Sequence, residues 1–168
     1  MATVNDILSC AAKEVGVVEK FNNNVKYNTW YYGREVSGSE YPWCACFILW
    51  IYNSCNASEL LYDGKKTALC QALADWFRKK GQWHTTNPQP GDIIFFKFGT
   101  NSRYTDHVGI VTHINSDGSI ETIEGNTSTS NQNNGGMVMR RTRRKNIVGY
   151  GRPKYSEQKP QAKPYLYK

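Results

Sequence analysis

No stretch of this 168-residue chain comes near the roughly 18 consecutive apolar residues that a membrane-spanning helix needs, so no span is predicted. The opening, MATVNDILSCAAKEVG, has no basic start followed by an apolar run, so it does not read as a secretory signal. Cysteine is scarce and odd in number: Cys10, Cys44, Cys46, Cys55 and Cys70. An odd count argues against a full disulfide framework. Three of these cysteines lie in apolar helical patterns, where a free thiol behaves as a small hydrophobe. This reads as a reducing site of synthesis. Acidic residues are nearly missing from one end: residues 140–168 hold 10 Lys/Arg and one Glu, against 11 Lys/Arg and 13 Asp/Glu in 1–139. All the positive excess therefore lies at the C-terminal end, which it draws toward anionic surfaces.

What is present suits one domain with a short appendage. The chain is 39% hydrophobic and 13% aromatic, enough to bury a sizeable core and to exclude global disorder. Eleven Tyr and five Trp suit a groove for something polar and extended, although most aromatics in any domain are core. Thr3 is placed to N-cap a helix over roughly 4–15, with Ile7, Leu8 and Ala11 on its apolar face and Gly16 ending it. The polar, aromatic run FNNNVKYNTWYYGREVSGSEYPW shows no steady period and reads as a long loop. A buried helix is predicted from Trp43 or Cys44 to about Asn53, and a third from Thr67 to about Lys80. Then the period changes to that of strands, over 92–98, 107–114, 119–125, 135–143 and 146–151, with NSDG as a hairpin turn. Helices first and strands after predict an α+β domain, N-terminal helices packed on an antiparallel sheet. The domain is expected over 1–153, with 154–168 a basic Pro/Lys-rich linker or tail.

YPWCACF holds two cysteines at the start of the buried helix. Cys44 falls in the first turn, where free N–H groups and the helix dipole favour a thiolate. Cys46 faces away from it, with Phe47, Trp50 and Ile51 nearby, and reads as core. Position alone leaves Cys44 open between core packing and a nucleophile. His107 weighs on that choice. Folding the hairpin about NSDG sets His107 opposite residue 126, give or take one, so Glu124 and Asn126 reach the same end of the sheet. A thiolate, an imidazole and a third polar group to hold the ring are what a Cys–His hydrolase requires. His84 and His113 lack converging partners. Asp92 and Asp106 read as turn residues. RRTRRK (140–145) reads as a solvated basic face, without the recognition helix or stacking platform of a nucleic-acid binder.

PWCACF, QPGDIIFF, DHVGIV, IEGN and GYGRPKY, in this order, resemble the CHAP family, the cysteine- and histidine-dependent amidohydrolase/peptidase domains of papain-like fold. The resemblance runs from the first helix to about Tyr155. It implies a peptidoglycan hydrolase of the kind found in phage endolysins, cutting an amide bond of a Gram-positive wall. Carried over by position, it implies Cys44 as nucleophile, His107 as base, Glu124 as the acid that orients the ring, and Asn126 as the polar residue two further on. Trp30, Tyr32, Trp43 and Tyr104 are the candidate groove-lining aromatics. No metal and no cofactor are expected. The stretch before the cysteine, SGSEYPW, carries Glu40 as its only acid, where some endolysins of the family carry an Asp-rich calcium loop. GNTSTS follows Glu124 where many members have a Trp after Gly-Asn. The chain is expected to be a monomer, made in a host cytoplasm and acting on the wall after release, with the tail leading to a wall-binding domain outside this sequence. The rival readings are a non-catalytic wall-binding or adaptor module, and the catalytic domain of a secreted or conjugation-associated wall-remodelling enzyme.

Overall fold

The computed structural model describes residues 2–100 and 105–156. α1 (Val4–Lys13) begins where Thr3 Oγ1 accepts from the Asp6 amide and Asp6 Oδ2 accepts from the Thr3 amide at 2.8 Å. This reciprocal cap satisfies two donors that a helix start would otherwise leave free. α2 (Lys26–Tyr32) lies inside the stretch that reads as loop. Its seven residues include Asn, Thr and several aromatics, weak helix formers with too few turns to show a period. Tertiary bonds hold it instead. The buried Asn28 donates to the carbonyls of Asn23 (3.0 Å) and Tyr41 (2.9 Å), tying the helix to both arms of its loop.

α3 (Cys44–Ser54) is the central helix. Eight of its eleven residues are buried, including all six from Cys44 to Leu49, so it is covered all round rather than on one face. Two 3₁₀ turns, Ser58–Leu60 and Tyr62–Gly64, lead to α4 (Cys70–Lys79). The periodicity starts α4 at Thr67, but Thr67 Oγ1 accepts from the Leu69 amide at 3.1 Å and Leu69 is extended (φ −99°, ψ 116°). That local bond competes with the helix, and it makes Cys70 the first helical residue.

The strands are β1 (Trp83–His84), β2 (Ile93–Phe96), β3 (His107–Ile114), β4 (Ile120–Thr127), β5 (Met137–Arg143) and β6 (Ile147–Gly151). They form one antiparallel sheet in the order β1-β6-β2-β3-β4-β5. The four N-terminal helices and this sheet make the α+β fold predicted from the order of periods; α2 and, among the strands, the two-residue β1 are unforeseen. Alternation along the strands sorts the sheet's two faces. Ile93, Phe95, Val108, Ile110 and Ile123 pack under the helices, while Ile94, Phe96, Val111, Ile120 and Tyr150 form a second cluster.

Residues 154–156, assigned to the tail by composition, pack on the body. Tyr155 Oη donates to the Gly91 carbonyl at 2.6 Å and meets the Tyr52 hydroxyl, and the Ser156 amide donates to Ala2. The remainder of the tail lies outside the described residues. Asp92, read as a turn former, is buried and receives Arg152 through Nε (2.8 Å) and Nη2 (2.9 Å), which joins the PGD turn to the GRP segment.

One cysteine pair departs from the thiol-only reading. Cys10 of α1 is disulfide-bonded to Cys55 at the end of α3, 45 residues apart in sequence. Both are partly buried beside the core. In the chain-entropy account a closed loop of that size stabilises by up to about 4 kcal/mol. Replacing both cysteines by serine is expected to lower the urea midpoint and, because the released denatured chain exposes more surface, to steepen the transition; an unchanged midpoint would show that the bond contributes nothing to stability.

Candidate active site

The site is assembled from one helix end and three strands. Cys44 is the first residue of α3, after Trp43 at the cap position. His107 opens β3, Glu124 lies on β4 and Arg143 ends β5. The register pairs Ile110 with Ile123, and continuing it three residues brings 107 to 126, as the hairpin reading predicts. Gly109 makes the diagonal contact available. A Cβ there would lie 2.6 Å from Glu124 Cγ, so only glycine leaves room for the carboxylate to reach back to His107. Gly125 does the same for the helix, since a Cβ on it would lie 2.7 Å from the Phe47 side chain of α3.

His107 and Glu124 are fully buried. His107 Nε2 donates to Glu124 Oε1 at 2.7 Å. The carboxylate also accepts from Arg143 Nε at 2.9 Å, Arg143 Nη2 at 2.5 Å and Thr122 Oγ1 at 2.5 Å. A buried carboxylate with four donors stays ionised. Burial pushes its pKa up, but Arg143 and His107 outweigh that and hold it down at about 2. Arg143 in turn is buried, donates to Gln132, and lies 5.1 Å from the ring centroids of both Phe96 and Phe98.

The other imidazole nitrogen, Nδ1, is buried and has no hydrogen-bond partner among the described residues. Its interacting neighbour is Cys44. Burial disfavours the charged ring, yet Cys44 and Glu124 more than offset it and raise the His107 pKa to about 9. The Cys44 thiol moves the opposite way, well below its ordinary value. The Cys70 thiol, whose sulfur lies 3.4 Å away, is the main cause; His107 and the Ala45 amide add to it, against burial. Cys46, two residues on and fully buried, is pushed up to about 12, first by burial and then by the charge of Cys44. One of the paired cysteines is therefore poised as a thiolate and the other is an inert core thiol.

Other predicted residues are placed differently. Asn126 is buried, but its side chain accepts from the Gly136 amide at 3.1 Å and donates to Asn134 at 3.3 Å. No hydrogen bond joins it to His107. At φ +56° it bends the β4 end, where the ladder is irregular. Trp43 is not a groove wall: it is fully buried, donates from Nε1 to Glu19 at 2.8 Å and packs on Tyr27. Trp30 is partly exposed beneath the Lys66 ammonium, 4.2 Å from the ring centre, and Tyr32 packs edge-on to Tyr31 and Tyr41. Tyr104 lies outside the described residues. Asp106 accepts from the amides of Phe98 and Gly99 and so closes the turn before β3. Arg143 and Cys70 were missed. Arg143 is hidden in RRTRRK, read as solvated, where alternation along β5 turns it inward while Arg140 and Arg144 stay exposed. Cys70 was masked by the false helix start at Thr67. Among the described residues no group of three or more His, Cys, Asp or Glu is placed to hold a metal ion.

A buried thiol, imidazole and carboxylate thus come together where a helix end adjoins an antiparallel sheet. The chain belongs to the CHAP domain family, whose model matches residues 36–126, a family of peptidoglycan hydrolases of the cysteine type. Its fold is similar to the solved structure of Ly7917 (18% identity over 90% of this chain and 63% of that one, TM-score 0.52). It is also similar to a Staphylococcus aureus protein described as similar to lipoprotein, NLP/P60 family (18% identity, 89% of this chain, 41% of that one, TM-score 0.51). A third similar structure is the wild-type endolysin LysIME-EF1 (14% identity, 92% of this chain, 66% of that one, TM-score 0.50). The chain spans less than two thirds of the length of the first two. The sequence matches no curated protein.

Two consequences follow from the buried charges. Arg143→Met removes two donors from an ionised, buried Glu124 and is expected to cost about 3 kcal/mol or more in urea unfolding; a cost within error of zero would mean that Glu124 does not depend on the guanidinium. The pH dependence has a definite sign. Glu124 falls from an ordinary 4.5 to about 2, so its stabilisation is complete above 4.5 and is lost as pH drops through 2. His107 rises from 6.5 to about 9, so its contribution is complete below 6.5 and is lost as pH climbs through 9. The stability difference between wild type and His107→Ala is thus expected to be greatest between about pH 4.5 and 6.5 and to shrink toward pH 9, as read from unfolding curves across that range.

Proposed function

We propose that this chain hydrolyses an amide bond of peptidoglycan, with Cys44 as nucleophile, His107 as general base and acid, and Glu124 holding the ring. One observation carries the reading. His107 is anchored through Nε2 by an ionised carboxylate while Nδ1 has no hydrogen-bond partner among the described residues, and the ring interacts with a helix-end thiol of lowered pKa. A core cysteine and a core histidine would need neither feature, which also speaks against an adaptor module with a dead site.

The chemistry begins with a Cys44 thiolate and a His107 imidazolium. The thiolate attacks the amide carbonyl carbon and the carbonyl oxygen takes the charge. The first N–H groups of α3 have no intrahelical acceptor and point along the positive end of the helix, so they suit that oxyanion. Nδ1–H of His107 protonates the leaving amine and a thioester remains. The neutral ring then takes a proton from water, whose oxygen attacks the thioester, and the acid product leaves as the thiolate and imidazolium are restored. Throughout, Glu124 stabilises the charged ring and fixes its orientation, and Arg143 positions Glu124.

Family membership supports peptidoglycan as the substrate, and the basic C-terminal end suits an anionic Gram-positive wall. An endolysin role in a phage is favoured by the likeness to LysIME-EF1 in fold. The Cys10–Cys55 disulfide suits work outside a reducing cytoplasm. Loss of turbidity of purified Gram-positive walls tests the assignment. Wild type and Cys46→Ala are expected to lyse, with Cys44→Ala and His107→Ala reduced to background, and mass spectrometry of the fragments names the bond. Lysis by Cys44→Ala at the wild-type rate would refute the mechanism.

A further inference from the structure

Three cysteines remain as thiols, and two of them meet. Cys44 Sγ and Cys70 Sγ are 3.4 Å apart, and both side chains are buried. Each is the first residue of a helix, so the positive ends of α3 and α4 both face the sulfur pair. A core packing of two sulfurs does not call for that. The helix starts favour negative charge at both sulfurs, and the single proton left between them lies on Cys70, whose pKa is raised well above normal by its bond to Cys44 and by burial. Cys70 also has an approach from outside: a cleft of about 470 Å³ is lined by Leu69, Cys70, Gln71, Ala72, Asp75 and Thr105. Cys46 offers no alternative, since it is fully buried with its thiol pKa raised and makes no sulfur contact with Cys44 among the described residues.

We propose that Cys70 is an oxidation site that resolves Cys44: a hydroperoxide converts the two thiols into a Cys44–Cys70 disulfide that reversibly blocks the nucleophile. The blocking rests on the catalytic reading of Cys44; the disulfide itself does not. The Cys44 thiolate attacks one peroxide oxygen and the O–O bond breaks. With hydrogen peroxide, the leaving oxygen takes the imidazolium proton of His107 and departs as water, leaving Cys44 as a sulfenic acid. The Cys70 sulfur then attacks the Cys44 sulfur, its proton joins the leaving hydroxyl, and a second water departs. Two electrons pass from the thiols to the peroxide, His107 ends neutral, and one S–S bond has formed. The sulfurs have only to close from 3.4 Å to about 2.05 Å. With Cys70 in place the sulfenic acid is consumed before it climbs to the irreversible sulfinic acid.

The test treats the whole chain with hydrogen peroxide, alkylates it under denaturing conditions and maps the peptides by mass spectrometry, with wall lysis measured in parallel. Wild type is expected to show a Cys44–Cys70 cross-linked peptide, alkylation of Cys46 alone, near-complete loss of lysis, and recovery of both thiols and lysis with dithiothreitol. Cys70→Ser is expected to gain two oxygens at Cys44 instead, which dithiothreitol does not remove. Peroxide that oxidises Cys44 in wild type without the cross-link, or that links Cys44 to Cys46, would overturn the proposal. A cross-link that leaves lysis intact would overturn the block and the catalytic reading together. Loss of lysis in Cys44→Ala without any cross-link in wild type would overturn this inference alone.

Discussion

The rest of the site depends on an ionised carboxylate kept dry. Glu124 carries its charge inside the protein because Arg143 meets both of its oxygens and Thr122 and His107 take the remaining acceptor positions. Without those donors, burial would protonate it. With them, it holds the imidazole by one nitrogen and leaves the other free to face a sulfur. Charge then alternates along a line from guanidinium to carboxylate to imidazole to thiol, and each member sets the protonation of the next.

That line explains several features that packing alone does not. Gly109 is small because Glu124 has to cross the space a side chain would fill. Arg143 lies beside the stacked rings of Phe96 and Phe98, aromatic neighbours that suit a weakly hydrated guanidinium out of water. Cys44 and Cys46, two residues apart on one helix, differ in chemistry because only the first meets the helix end, His107 and Cys70. Helix α3 is apolar on nearly every side because it is enclosed between the sheet and the other helices.

Much of this was legible in the chain. Thr3, the run after Cys44, the apolar strands and the NSDG turn each signal their element through local periodicity or turn chemistry, and hairpin pairing alone brings Glu124 toward His107. Most of the misreadings share one cause, a local pattern overridden by a distant partner. α4 is the exception, shortened by the local Thr67–Leu69 turn. α2 has no period of its own and is held by Asn28. Trp43 looks like a surface aromatic in a polar loop until Glu19 receives its indole N–H. Arg143 looks like one of five exposed cations until Glu124 is seen beside it.

The sequence by itself determined the class of fold, the order of helices and strands, the placing of Cys44 at the start of α3 with Cys46 on another face, and the pairing of His107 with the β4 end. These are short-range matters, decided by spacing within one helix or across one turn. Tertiary structure alone decided which cation enters the core, which thiol faces Cys44, that Cys10 meets Cys55, and that Asn126 hydrogen-bonds Gly136 and Asn134 rather than the ring. Each of those depends on segments far apart in the chain, and on burial, which gives a charge or a thiol its strength only once the surrounding water has gone.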